Sequence, residues 1–185
     1  MIVDPLKAYD TGQVTRYHAN PMMNRIHQTN ADHQWGVSII ALSIAPELCD
    51  RNFLICALTH DAGERAVGDL PSPFKATQPL IAAIHSEAEQ SAREDVFGPD
   101  LPLSPRQRVL LKIADLAEAL LCILMYHPMP EKIEGFNSTV QALSMKIGEM
   151  ERVSDGEVDA WSWVDKNLNP LIAERIGSHA TATPF

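Results

Sequence analysis

Positive charge is in short supply. Fifteen lysines and arginines face 24 aspartates and glutamates, a formal charge of -9, so the chain has no general field for holding a phosphate backbone. A long nucleic-acid surface is therefore not expected, and the chain shows no P-loop, no close Cys/His finger spacing and no basic aromatic tract for strand recognition. Only three cysteines occur, Cys49, Cys56 and Cys122. None has metal-ligand spacing and two lie in apolar segments, where they read as small core residues; a reducing cytoplasmic setting fits them. No stretch approaches roughly 18 uninterrupted apolar residues, so no membrane span is expected. The opening MIVDPLKAYDTG lacks the basic region, apolar run and cleavage site of an export signal, so export is not expected either. Alternating β-branched runs are missing as well, which leaves strands without a signal.

What the chain has is helical periodicity. With 185 residues, 45% of them hydrophobic, it is long enough for one sizeable core and is read as a single domain over 1–185. The first 30 residues show little periodicity and read as irregular chain or short helical pieces. From Ala31 to Ala45, Val37, Ile40, Ala41 and Ile44 recur at helical spacing, with Thr29 or Asn30 to cap the start and Pro46 to end it. Asp50 caps a second helix through Phe53, Leu54 and Ala57 toward His60, and GERAVGDLPSP reads as loop. A third helix runs from about Ala76 to Val96, closed by Gly98 and Pro99. The strongest signal is Pro105 to Met125, whose broad apolar stripe predicts the central buried helix. Weaker helices follow over Phe136 to Glu149, Gly156 to Lys166 and around Leu171 to Ile176, before a ragged end at Pro184 and Phe185. Amphipathic faces of this kind pack as a compact all-α bundle.

Four side chains carry metal-ligating chemistry at the ends and inside of these helices. His33 stands near the start of its helix; alone it reads as structural. His60 and Asp61 are adjacent where a helix gives way to a turn, so an imidazole nitrogen and a carboxylate oxygen can aim at one point. Asp115 lies in the most apolar helix, where a buried carboxylate needs a cation to offset desolvation. Lys112, one turn earlier, offers an ordinary helix ion pair instead. Composition leaves both readings open.

In order and separation, His33, then His60-Asp61 with GDLPSPFK following it, then Asp115, resembles the HD-domain phosphohydrolases over roughly Gly12 to Met125. The resemblance implies a compact HD-domain helical bundle with a core of about 12–125, carboxy-terminal helices packed on it, and these four residues as metal ligands. Within the family the chain is similar to small 5'-deoxynucleotidases and to phage deoxynucleoside triphosphohydrolases, with TGQVTRYHANP and QTNADHQWG leaning toward the phage branch. Glu64 then matches the catalytic acid-base position and Asp69 of GDLP a second catalytic carboxylate, although a helix cap or turn is the ordinary role of such residues. Arg16 and Lys75 are expected to hold phosphate, with Arg65 and Lys112 behind them. Tyr17 is expected to wall the deoxyribose, and Ala19, with His18 and Asn20, to shape the pocket. Trp35 reads as core packing, as do Trp161 and Trp163. His27, His85, His127 and His179 complete no better ligand set.

Nitrogen and oxygen ligation suits zinc, cobalt, manganese or iron better than calcium, with magnesium brought in on a triphosphate. Such an ion polarises a phosphoryl oxygen and lowers the pKa of a bound water, so no protein nucleophile is needed. The implied reaction is metal-dependent hydrolysis of deoxynucleoside triphosphates, dATP foremost, to deoxynucleoside and triphosphate. The alternatives are a 5'-deoxynucleotidase, hydrolysis of a cyclic or signalling nucleotide, and a non-catalytic nucleotide-binding protein. The expected partner is a small deoxynucleotide, with no nucleic-acid polymer and no membrane, in a cytoplasmic homo-oligomer, which for a phage-encoded chain means the host cytoplasm.

Overall fold

Local signals start most of the helices. A computed structural model of the chain describes residues 4–18 and 20–177; Ala19, His179, Pro184 and Phe185 lie outside the described residues. Asp4 accepts from the backbone of Leu6 and Lys7 to open α1, Pro5–Thr11. α2, Asn30–Ile44, begins in a full capping box between Thr29 and Asp32, which satisfies two otherwise orphaned backbone donors. It ends in the Pro46–Leu48 3-10 turn, as the proline requires. Asp50 caps α3, Arg51–Ala57, and a second capping box, Ser104 with Gln107, opens α7, Pro105–Tyr126. Gln107 also reaches Leu48 O and Asp50 Oδ2, both at 3.0 Å, tying the start of α7 to that of α3.

The stretch GERAVGDLPSP, expected as loop, instead carries α4, Glu64–Val67, and the beginning of α5, Ser72–Thr77. Gly68 N closes α4 on Glu64 O at 2.8 Å, and Pro71 O receives the amides of Phe74 and Lys75. A left-handed Gly68, φ 81°, separates the two turns, a conformation glycine adopts without a Cβ penalty. α3 also stops short of His60, at Ala57. α6 starts later than expected, Pro79–Phe97, because residues 76–77 close α5. After α7 come the Pro130–Lys132 turn, α8, Phe136–Ser154, α9, Ala160–Asn167, and α10, Asn169–Ile176. Among the described residues no sheet forms; Thr15 and Thr29 make an isolated antiparallel bridge. No helix described is long and apolar enough to cross a membrane.

The central helix is α7. It packs most extensively on α8 and then on α2, and Leu110, Ile113, Ala114, Ala117, Leu120 and Leu124 are all fully buried. Each large aliphatic side chain among them contributes about 1.5–3 kcal/mol. α2 turns His33, Val37, Ile40 and Ala41 inward. Its opposite face leaves Ile39 and Leu42 exposed, and Trp35, expected in the core, is 64% exposed there. Its position two residues beyond His33 places it across the helix from the buried face. Trp163 packs against the core and donates to Ser43 Oγ at 2.7 Å.

A second, smaller apolar cluster of Ala62, Val96 and Phe97, with Ala8 against it, joins α1, α6 and the turn after α3. There the backbones of Gly63 and Glu89 nearly touch: a Cβ on Gly63 would sit 2.0 Å from Glu89 O. Because the obstacle is backbone, Gly63→Ala must push α6 from the turn. Overpacking of this kind costs about 1–3 kcal/mol, so the midpoint of thermal unfolding should drop by several degrees. A variant that melts with the wild type would show that α6 does not clamp the turn.

Candidate metal centre

Two helices deliver one side chain each to a common point, and a turn delivers two more. His33 lies in the first turn of α2, Asp115 midway along α7 and His60 and Asp61 in the turn that follows α3. That turn is held from outside by α6. Arg93 donates to Thr59 O at 3.1 Å and to Thr59 Oγ1 at 3.0 Å, and pairs with Asp100. Asn30, fully buried, donates to Asp61 O at 3.1 Å and to Glu64 Oε2 at 3.0 Å. The same asparagine thus orients the turn and the carboxylate three residues beyond it.

The ligand atoms converge. One from each of His33, His60 and Asp115 lies within 4.8 Å of the other two. The two Nε2 atoms are 3.3 Å apart, and Asp115 Oδ1 is 3.3 Å from that of His33. Asp61 brings Oδ2 to 3.4 Å from His33 Nε2 and Oδ1 to 3.5 Å from His60 Nε2. It stands at the edge of the three because Arg16 holds its Oδ2 at 2.6 Å. Asp115 is similarly divided, with Oδ2 on Lys112 at 2.6 Å and Oδ1 toward the centre. The Lys112 ion pair and the metal reading are thus compatible, one for each oxygen.

Tautomers decide what fits between these atoms. His60 Nδ1 faces Ala57 O at 2.8 Å, and His33 Nδ1 faces Glu118 Oε2. Carbonyl and carboxylate oxygens only accept, so each ring carries a proton on Nδ1 and turns the lone pair of Nε2 inward. In the neutral ring forms the two Nε2 lone pairs and the carboxylate oxygens face one another; in the metal-free chain a second proton on His33, on Nε2 toward Asp115 Oδ1, relieves the repulsion. A set of two imidazoles and two carboxylates fits a divalent transition metal that would take that proton's place.

The titration behaviour follows the same geometry. Burial and the Arg16 charge both disfavour the imidazolium of His33, but its bonds to Asp115 and Glu118 prevail and raise its pKa to about 9. Burial works against the carboxylates too. His60, Arg16 and His33 nevertheless hold Asp61 below its ordinary range, and His33 with Lys112 holds Asp115 well below it. Glu64 goes the other way: burial, then the charges of Asp61 and Asp69, push it up to about 8 against the Asn30 bond and Arg16. A carboxylic acid titrating near neutrality beside a cluster of ligands is suited to proton transfer.

The remaining expectations are distributed unevenly. Arg16 is drawn to the cluster, while its Nε is buried without a partner. Asp69 is close enough for its charge to raise the Glu64 pKa. Its loop is anchored by His85, which donates from Nε2 to Gly68 O at 2.8 Å. Lys75 lies on α5, 3.6 Å from Glu89 of α6. Tyr17 is half-buried against the main core in a left-handed conformation, φ 58°, with the Arg16 guanidinium over its ring. His127 is tied up locally, accepting from Met129 N at 3.1 Å. Ala19 is outside the described residues. The sequence alone offers Asn30 only as a helix cap and gives Gln28 and Glu118 no role. Glu118 had a usable signal, an acidic residue one turn past Asp115 on the same apolar helix.

A cavity of about 400 Å³ has His60 in its wall, together with Cys56, Gln90, Arg93 and Leu111. A larger one, about 580 Å³ near Met22, Ile26 and Tyr126, includes none of the converging residues. Neither of these cavities is lined by His33, Asp61, Glu64 or Asp115.

Stability should depend on pH in a definite direction. Folded, metal-free chain keeps its proton on Glu64 up to about pH 8 and on His33 up to about pH 9, above the ordinary 4.5 and 6.5. Between those values the folded state binds more protons than the unfolded one, so stability falls as pH rises. Asp61 and Asp115, with depressed values, are ionised in both states across this range and leave the slope unchanged. Chelator-treated protein should therefore melt at steadily lower temperature from about pH 5 to pH 9, and added metal should flatten the decline. A metal-free melting temperature that rises over this range would contradict the assignment.

Comparison with known proteins agrees with the fold. The cyanophage S-2L HD phosphohydrolase DatZ, solved bound to dA and one catalytic Zn2+ ion, is similar at a TM-score of 0.52 and 21% sequence identity, covering 86% of this chain and 89% of that one. The curated proteins offer no match. The HD domain family model matches residues 14–159, from just before Arg16 to the residue that caps α9. The chain belongs to the HD-domain family.

Proposed function

We propose that the chain is a metal-dependent phosphohydrolase that cleaves deoxynucleoside triphosphates, dATP foremost, into deoxynucleoside and inorganic triphosphate. The observation that carries this reading is the convergence of His33, His60 and Asp115 beside a buried Glu64 whose pKa is about 8. Its chemical class is supported by HD-domain membership, and its substrate by the dA bound to the phage relative. Zinc leads among the metals because that relative carries one catalytic Zn2+.

His33, His60, Asp61 and Asp115 would hold the ion, which when bound supplies Lewis-acid polarisation of a phosphoryl oxygen and a more acidic water. The other residues divide the remaining work. Arg16 reaches the cluster with Nη1 on Asp61 and has Nε to offer a phosphate oxygen. Lys75 supplies a second, more mobile cation on the triphosphate side. Glu64 has Oε2 fixed by Asn30, which leaves its other oxygen to take a proton from the attacking water. As the bond from the α phosphorus to the 5'-oxygen breaks, the same carboxyl returns the proton to the leaving oxygen. A pKa near the working pH favours both transfers. Burial and the charges of Asp61 and Asp69 keep that pKa high. Tyr17, stiffened by its contact with Arg16, forms the wall for the sugar.

The reaction is tested by incubating metal-reconstituted protein with dATP and with dAMP and identifying every product. Deoxyadenosine and intact triphosphate from dATP are expected. Orthophosphate from dAMP with dATP untouched would make the protein a 5'-deoxynucleotidase, and binding without turnover would make it a non-catalytic nucleotide binder. Glu64→Gln should retain metal and nucleotide binding while kcat falls roughly 10²- to 10⁴-fold. Asp61→Ala should lose both metal and turnover, measured by metal content and product release. Full activity in either variant would remove that residue from its role.

A further inference from the structure

Three residues next to the cluster take no part in the chemistry above: Glu118, Gln28 and Gly36. Glu118 is buried one turn beyond Asp115 on α7. A carboxylate there is costly unless both oxygens are engaged, and both are. Oε2 receives the Nδ1 proton of His33, and Oε1 receives Nε2 of Gln28 at 2.6 Å. Gly36, three residues after His33 on α2, provides the room. A Cβ at that position would lie 2.8 Å from Glu118 Cγ and 3.3 Å from Oε1, so any larger residue displaces the carboxylate.

Gln28 also belongs to a second structure. Its carbonyl accepts the Arg16 amide at 2.8 Å, Val14 O accepts Asn30 N at 2.9 Å, and Thr15 bridges Thr29. These contacts form a short antiparallel stem that closes the intervening loop, with left-handed residues at either shoulder, Tyr17 at φ 58° and His27 at φ 55°. From one strand of the stem the Arg16 guanidinium reaches Asp61; from the other the Gln28 amide reaches Glu118. Each of these carboxylates in turn touches His33.

Resting on the metal reading above, we infer that Glu118 is the positioning residue of the metal centre: it sets the tautomer and tilt of His33, and Gln28 fastens it to the stem that carries Arg16. The metal-facing imidazole and the phosphate-facing guanidinium are thereby placed by one connected unit. A loss of the Gln28 clamp acts on metal binding only through Glu118, so the two side chains are not independent.

The experiment measures metal affinity without nucleotide. Metal-free wild type, Glu118→Ala, Glu118→Gln, Gln28→Ala, Gly36→Ala and the Gln28→Ala/Glu118→Ala double variant are titrated with Co2+, read by its ligand-field absorption, and with Zn2+ against a chromophoric chelator. Thermal unfolding is followed in parallel. Glu118→Ala should weaken binding roughly 10- to 100-fold, the usual cost of losing an outer partner of a metal-ligating histidine. Glu118→Gln, whose amide oxygen still accepts from Nδ1, should recover most of that loss. Gln28→Ala and Gly36→Ala should weaken binding to a lesser degree, and Gln28→Ala should cost nothing more once Glu118 is alanine. Wild-type affinity in Glu118→Ala or Gly36→Ala, or additive losses in the double variant, overturns the inference. If Glu118→Ala fails to fold, Glu118→Gln with Gln28→Ala and Gly36→Ala decides by the same criteria. Tight metal binding with the expected variant pattern but no cleavage of dATP defeats the proposed reaction and leaves this inference standing. Cleavage with equal affinities across the variants defeats the inference alone, and a wild type that takes up neither metal defeats both.

Discussion

Everything around the centre follows from one electrostatic conflict. Two imidazole Nε2 atoms and the inward oxygens of two carboxylates crowd one space, where in the metal-free chain only the second proton of His33 relieves the repulsion. In water such acceptors would turn away from one another. Here they are held together by what stands behind them: Glu118 and Ala57 O behind the rings, Arg16 and Lys112 behind the carboxylates. Each outer partner is placed to satisfy the far side of a ligand and leave its near side bare. The fold spends local stability to keep four ligand-type groups facing inward, which a proton on His33 offsets in part and a cation would offset further.

The helices bear that load unequally. α7 is apolar around most of its girth, yet Lys112, Asp115 and Glu118 follow one another at single-turn spacing along it. That polar stripe meets the start of α2, where His33 is fully buried. The His60-Asp61 turn has no helix of its own to stiffen it, so α6 braces it through Arg93 on Thr59, through the backbone of Glu89 against Gly63, and through Val96 and Phe97 on Ala62. α6 thus acts as an outer wall: much of its length is exposed, but it keeps adjacent ligands from drifting out of register. A loop alone would not hold two donors to a fraction of an ångström.

Periodicity made the long helices legible, because burial of α2, α7 and α8 obeys the helical repeat that the apolar residues already display. The four candidate ligands stand out by residue type and order, and the structure brings three of them, His33, His60 and Asp115, within ligating distance of one another. Their partners could not. Asn30 looks like a cap candidate, and its buried role on Asp61 and Glu64 depends on a turn distant in sequence. Gln28 and Gly36 have no pattern of their own; each matters only because Glu118 arrives beside it from a helix some 80 to 90 residues later. The short helices α4 and α5 were hidden by glycine and proline, which usually break structure and here sit at their ends. Trp35 misled through composition: a large aromatic suggests burial, whereas its angular position places it on the outer face of α2.

The acidic balance of the chain takes on a more specific meaning in this setting. A net charge of -9 repels nucleotides at long range, and the two basic residues that touch the cluster each meet one of its carboxylates, Arg16 on Asp61 and Lys112 on Asp115. The side chains there come close to balancing one another and add little positive potential of their own. A divalent ion held by the cluster would add two charges at the one point where acidic groups converge, so an anion would be attracted locally by a chain that repels it as a whole.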